Sequence, residues 1–388
     1  MRVLFWVSLF LLSCQSYKQL HRQAVVVDTH NDVLSTATMR GLHFDTDLTG
    51  RTHSDLQRFK RGGVDVQVFS IFCDERFGKD TAFKYANIEI DSLYAIAGRN
   101  PEKMMMVSTP AQLEQAVAGQ KLACLMGVEG GHMIEDKLSY LDSFYKRGVR
   151  YMTLTWNNST SWASSAKDET APDTFKRQKG LSAFGKQVVQ RMNHLGMIVD
   201  VSHVGEQTFW DAINTTKKPV IASHSCVHAL CPVFRNLKDD QIKAIGKNGG
   251  VIHLNFYSGF LDSAYQTRIA AFGSQHKKEV DSIQTLNWPS YEVEEYFLKK
   301  YPEEATSLRP PLSQLIDHLD YIVRLTSVDH VGLGSDFDGI SSAPKELDDV
   351  TNMTLITKAL RQRGYNKSDI RKILGENFLR VFSANQAP

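Results

Sequence analysis

Short, continuous apolar runs alternate along this chain with segments whose apolar residues recur at helical spacing. The runs are Ala24–Thr29, Val64–Phe72, Leu122–Val128, Arg150–Thr155, Met197–Ser202, Pro219–Ser223, Gly250–Phe256 and His330–Gly334. A strand with one wet face alternates apolar and polar residues, whereas most of these are apolar throughout, as parallel strands covered on both sides require. Among the helical segments, Pro311–Leu325 sets Leu312, Leu315, Ile316, Leu319, Ile322 and Val323 on one face and turns Asp317, His318 and Asp320 away from it. Near the carboxyl end Ser368 is the predicted cap of a helix whose Ile370, Ile373 and Leu374 lead on to Phe378, Leu379 and Phe382. Eight strands with helices between them predict an α/β fold, a TIM-like (β/α)8 barrel.

Two stretches depart from the alternation. Residues 258–310 hold more chain than one connecting helix needs, so they form an insertion, either a lid over the carboxyl face of the barrel or a peripheral helical excursion. At the other end, Met1-Arg2 precedes the apolar run Val3–Leu12 and Ser13-Cys14, too short to span a bilayer. Residues 1–14 therefore read as an export signal and 15–388 as a single catalytic barrel domain. Leu11-Leu12-Ser13-Cys14 also resembles a bacterial lipobox, which implies a cell-envelope protein in the periplasm or at the membrane surface, anchored through a lipid on Cys14. The alternative is an ordinary cleaved signal with an incidental cysteine.

Composition narrows the partners. With 388 residues and 42% hydrophobic content, the chain can bury a large core. Its 45 basic and 43 acidic residues leave a net charge of +2 with no long single-sign block, which argues against nucleic acid or an acidic membrane surface as a partner. Of the remaining cysteines, Cys73 and Cys124 read as small buried hydrophobes, and only Cys226 and Cys231 are close enough to suggest a bridge.

The chemistry sits where the apolar runs end. His30 and Asp32, two residues apart after Val25-Val26-Val27, point to the same side of an extended chain and can grip one ion. Glu129 ends another run before Gly130-Gly131, and His203 and His224 end two more, each one residue after a serine. A lone histidine at such a place is commonly a buried structural residue. Together, His203, His224 and Glu129 fill one divalent-ion site and His30, Asp32 and the shared Glu129 a second, with coordination positions left for water. Asp336, at the last strand end, is placed to take a proton from that water and pass it to a leaving amine. Asp338, followed by Gly339, reads as a turn residue.

These motifs carry a resemblance. His30-Asn31-Asp32, Gly127-Val128-Glu129-Gly130-Gly131-His132, Ser202-His203, Ser223-His224-Ser225, Arg235-Asn236, Asn255-Phe256-Tyr257, Gly334-Ser335-Asp336-Phe337-Asp338-Gly339 and Asn377-Phe378-Leu379-Arg380-Val381-Phe382 resemble the membrane (renal) dipeptidases, from about Val25 to Phe382. The resemblance implies a binuclear zinc dipeptidase on a (β/α)8 barrel. It assigns His30 and Asp32 to one zinc ion and His203 and His224 to the other, with Glu129 and a water or hydroxide bridging the two. Arg235 then holds the substrate carboxylate, Asp336 is the catalytic aspartate, and Tyr257, at a strand end, lines the pocket. The family's substrates are dipeptides, often with a D residue at the carboxyl end, and a homodimer is allowed. One match fails: Trp156 stands where mammalian relatives have a histidine near the scissile carbonyl. Either Asn157 or Asn158 takes over that contact, Asn157 being the candidate, or the ions act alone, or substrate preference differs. His132 is a candidate support for Glu129 from outside the ligand shell. The competing readings are another metal-dependent amidohydrolase, such as an N-acyl amino acid deacylase, and a non-catalytic envelope binding lipoprotein.

Overall fold

The computed structural model describes residues 17–171, 179–284 and 290–386. The leader run, Cys14 included, lies outside them. The eight expected runs all form strands: β1 (Val27–Asn31), β2 (Val66–Ile71), β4 (Leu122–Glu129), β5 (Val149–Thr153), β6 (Ile198–Asp200), β7 (Ile221–Ala222), β8 (Val251–Leu254) and β9 (Val331–Leu333). They pair in parallel in the order β1-β2-β4-β5-β6-β7-β8-β9, and a bridge between Asn31 and Phe337 brings the last strand back to the first. The result is a nearly closed eight-stranded parallel barrel flanked by helices. A further strand, β3 (Met104–Met106), pairs with Leu122–Cys124 on the same edge of β4 that β5 takes from Met126 onward. Three residues are too few to show a period, so it has no signature in the sequence.

Alternate strand residues build the inner layer. Val27, Val66, Val68, Leu125, Tyr151, Ile198, Ile221 and Val251 form one cluster with Phe378, Val381 and Phe382 of the helix Asn377–Gln386. That terminal helix stands on a helical turn of wider pitch, Lys372–Glu376, where a Cβ on Gly375 would lie 2.2 Å from the Val25 carbonyl oxygen. The glycine lets the helix approach the start of β1 that closely. The helix before that turn, Lys367–Arg371, is capped by Asn366, whose side chain accepts from the amides of Ser368 and Asp369, so Ser368 lies inside the helix rather than at its cap.

Two other expectations are corrected. His318 on the helix Leu312–Leu325 is buried: its Nδ1 accepts from the Val227 amide at 3.0 Å and its Nε2 donates to the Leu261 carbonyl at 3.0 Å. A polar ring at the edge of an apolar face can enter the core when both nitrogens are paired. Cys226 and Cys231 are free thiols, donating to the carbonyls of Asn255 at 3.2 Å and Gly259 at 3.5 Å.

After β8 come the helices Ser258–Leu261, Tyr265–Gln275, Lys277–Gln284, Ser290–Lys300 and Pro302–Leu308; residues 285–289 lie outside the described set. The last four share a small core of Phe272, Phe297, Leu298 and Ala305, against which Val280 packs. Helix Ser290–Lys300 is tied to the carboxyl side of the barrel. Glu294 accepts from the hydroxyls of Tyr257 (3.1 Å), Tyr265 (3.1 Å) and Ser341 (2.6 Å), and Glu295 pairs with Arg40 at 3.2 Å.

One buried acid makes stability pH-dependent. Asp65, just before β2, accepts from the Val26 amide at 2.9 Å, and burial raises its pKa to about 6 against that bond. Its folded-state pKa lies above the unfolded one, so this contribution to stability is complete below about pH 4 and is lost as pH rises through about 6. Asp65→Asn keeps an acceptor oxygen and removes the charge. Thermal unfolding of the metal-free protein is expected to show a flatter pH profile for the variant, with a gain of about 1 kcal/mol at pH 8 once solvent screening is allowed for. Parallel profiles for the two proteins would disprove the assignment.

Candidate metal centre and active site

The ends of four strands deliver their polar side chains to one point. His30 ends β1 one residue before its last, Glu129 is the last residue of β4, His203 follows β6 and His224 follows β7. The Glu129 carboxylate stands between two groups: Oε2 lies 3.5 Å from His30 Nε2, while Oε1 lies 3.0 Å from His203 Nε2 and 3.4 Å from His224 Nε2. Asp32 Oδ2 lies 3.4 Å from His30 Nε2 on the far side. Ligand atoms of His30, Glu129 and His224 lie within 4.8 Å of one another, as do those of His30, Asp32 and Asp336. The structure thus brings His30, Asp32, Glu129, His203, His224 and Asp336 together around two adjoining candidate ion sites, with Glu129 facing His30 through one oxygen and His203 and His224 through the other.

The donor set fits divalent cations. His203 Nδ1 donates to the Asn157 side-chain oxygen at 3.0 Å, and His224 Nδ1 to the Ser223 hydroxyl at 2.8 Å, which in turn donates to Asp200 at 2.6 Å. Both Nε2 atoms therefore carry lone pairs, and they face each other at 2.9 Å. His30 Nε2 and Asp32 Oδ1 are buried without a hydrogen-bond partner. Converging buried lone pairs with no proton between them repel, and a cation removes that cost.

A family model described as membrane dipeptidase (peptidase family M19) matches residues 14–387. The chain belongs to the membrane dipeptidase family. An uncharacterized dipeptidase of Schizosaccharomyces pombe is 31% identical over 396 residues, covering 97% of this chain and 84% of the relative. Among solved structures, the probable dipeptidase PvdM of Pseudomonas aeruginosa superposes with a TM-score of 0.78 at 26% identity, covering 96% of this chain and 98% of that one. A metallopeptidase of Rhodobacter sphaeroides, solved with a phosphinate mimic of the dipeptide L-Ala-D-Ala, shares the fold with a TM-score of 0.74 at 23% identity over 93% of this chain and 99% of its own. With its paired ion sites, the protein is a metal-dependent hydrolase with dipeptidase activity in the general sense of the family.

The electrostatics of this dipeptidase follow from burial and crowding. Burial pushes the imidazole of His203 down to about 3, Arg235 adding to the effect, and depresses His224 well below its ordinary value with help from His30. His30 moves the other way: burial opposes its charge, but Tyr151, Glu129 and Asp32 together hold it well above the ordinary histidine value. Burial and then the neighbouring Asp32 raise the Asp336 carboxyl well above the usual range.

Arg235 is buried beside this cluster. One of its terminal nitrogens, Nη2, donates weakly to the His224 carbonyl at 3.4 Å, while Nη1 has no partner, and burial lowers its pKa to about 10. A buried guanidinium with an idle donor calls for an anion. The structure places Tyr257 at the mouth with its hydroxyl on Glu294, packed edge-on against Phe260 and Tyr265. Asn157 lies on the rear nitrogen of His203 through its oxygen. Trp156 packs on Phe72 at 5.0 Å between ring centres. His132 does not support Glu129: its Nε2 donates to the Cys73 carbonyl at 3.0 Å, because Gly130 turns the chain away from the strand end with φ 116°.

Several residues of the site had no role assigned to them from the sequence. Asp28 and Asp200 are buried staples between strands. Asp28 accepts the amide (2.7 Å) and hydroxyl (2.6 Å) of Ser335 across the β9–β1 seam, and Asp200 accepts the amides of Ser202 (3.1 Å) and Ser223 (2.8 Å). Asn255 donates to Asp336 at 2.7 Å. At Gly339 a Cβ would lie 2.3 Å from Asp32 Oδ2 and 2.5 Å from Asp336 Oδ1, so a side chain there would fill the space between the two acids. Asp28 and Asp200 stand within three residues of His30 and His203 in the sequence, which is the one cue available. His203 and Asp336 both adopt left-handed backbone, φ 65° and 59°, strain that the surrounding bonds hold in place.

Proposed function

We propose that this protein is a binuclear zinc dipeptidase that cleaves the peptide bond of free dipeptides, those with a D residue at the carboxyl end included. The carrying observation is the Glu129 carboxylate, one oxygen toward His30 and the other toward His203 and His224. In this reading His30 and Asp32 hold one zinc, His203 and His224 the other, and Glu129 contacts both. Nitrogen and carboxylate donors without thiolates suit zinc. When bound, the ions acidify water and polarise a carbonyl. The chain supplies the remainder. Asp336, oriented through one oxygen by Asn255, uses the other to take the water's proton and return it to the leaving amine. The idle Nη1 of Arg235 receives the substrate carboxylate, and Tyr257 and Asn157 border the substrate. Fixing that carboxylate restricts cleavage to the bond next to the terminal residue.

The deciding assay sets dipeptides, dipeptide amides and N-acyl amino acids against the zinc-loaded enzyme. Turnover of dipeptides, with the amides poor for want of a carboxylate, is expected; turnover of N-acyl amino acids alone would make the protein a deacylase, and binding without turnover a non-catalytic receptor. We also assign residues 1–14 as an export signal with a lipobox-like end, in which Cys14 becomes the acylated first residue of the mature chain. Cys14→Ala is expected to move the protein from the membrane fraction to the soluble fraction, and unchanged fractionation would refute the anchor.

A further inference from the structure

Behind His30 stands a residue to which no role has yet been given. Tyr151 lies on β5 inside the barrel, 1% exposed, with its hydroxyl oxygen 2.8 Å from His30 Nδ1 and 3.1 Å from the Thr29 carbonyl oxygen. A phenol has one proton, and a carbonyl can only accept. The proton therefore goes to Thr29, and the oxygen accepts from His30 Nδ1–H. That choice leaves the His30 Nε2 lone pair bare, 3.4 Å from Asp32 and 3.5 Å from Glu129. Without the phenol oxygen, the imidazole is free to carry its proton on Nε2 and donate to either carboxylate, which blocks a cation.

The neighbouring strand is shaped for this ring. Gly127 is the register partner of Tyr151 across β4 and β5, and a Cβ on it would fall 2.0 Å from the ring carbon that bears the hydroxyl. That contact is with the rigid ring itself, so no side chain other than hydrogen fits. His203 and His224 have their own rear partners, Asn157 and Ser223, and do not depend on Tyr151.

We propose that Tyr151 is a positioning residue for the metal centre, with Gly127 as its socket: it holds His30 in the one tautomer that can bind the ion shared with Asp32 and Glu129. The inference rests on the two-ion reading above. Tyr151→Phe keeps the ring and removes only the oxygen. The wild type is expected to bind two zinc ions per chain, and the variant to keep one tightly while the second weakens 10- to 100-fold, read by calorimetric zinc titration. Excess zinc is expected to restore turnover. Gly127→Ala, which displaces the same ring, is expected to show the same raised zinc demand. A purely structural role would instead lower the unfolding midpoint of the metal-free protein without any rescue by zinc, and that result, or two ions bound as tightly as in the wild type, would overturn the proposal. Fewer than two ions in the wild type would overturn the two-ion reading itself, and this inference with it.

Discussion

Asp336→Asn is expected to lower kcat about a hundred- to ten-thousand-fold while the enzyme keeps both zinc ions. The substitution preserves shape and the capacity to accept from Asn255, but an amide cannot take a proton from water at neutral pH. His30, Asp32, Glu129, His203 and His224 are untouched, so metal content measured on the purified variant should match the wild type. Loss of a zinc ion would instead make Asp336 a ligand, a role its carboxylate is near enough to play beside His30 and Asp32. Unchanged turnover would remove it from the mechanism. The left-handed backbone of Asp336 is held by a nearby bond: its amide donates to the His30 carbonyl at 3.0 Å. A side chain held by strained backbone and a fixed partner is pre-oriented for its proton transfer.

Glu129→Gln is expected to be at least as damaging, by another route. The amide presents one oxygen and one NH2, and the NH2 cannot ligate, so whichever way it turns one ion site loses a ligand. The other keeps only a neutral oxygen. Zinc affinity is expected to fall more than a hundredfold at one or both sites, a loss at least as large as that seen when only a ligand's supporting residue is removed. Activity is expected to follow the metal content. Treating the wild type with a chelator should reproduce the loss, and adding zinc should reverse it there but not in the variant. Full metal content in Glu129→Gln would show that the carboxylate does not bridge. The fold should survive, because Glu129 sits at the mouth of the barrel and the inner layer that supports β4 lies toward its other end.

The strand ends and the barrel were legible because both are local. A run such as Leu122–Val128 states by its composition that both faces are buried, and the residue that follows it must emerge at the mouth. Glu129, His203 and His224 could be read that way, and so could the His30–Asp32 pair from its spacing of two. Tyr151 was not legible in the same way. Inside an apolar run it reads as one more large buried ring, and only closure of the barrel shows that its hydroxyl meets His30 from across the interior. Asn157 was read as a substrate contact because it stands next to Trp156; that its oxygen also meets His203 Nδ1 could be seen only in the fold. His318 was read as solvent-facing from its helical phase, yet partners from two other segments, Val227 and Leu261, draw it into the core.

The division has a physical origin. Apolar period and turn chemistry depend on each element's own backbone, so the sequence alone specified the alternating strands and helices, the barrel class and the ligand types at the strand ends. Which atoms meet depends on register and closure among segments far apart in the chain. Only the tertiary structure therefore decided the β9–β1 seam held by Asp28, the free state of Cys226 and Cys231, and the rear partner that sets the tautomer of each metal-site histidine.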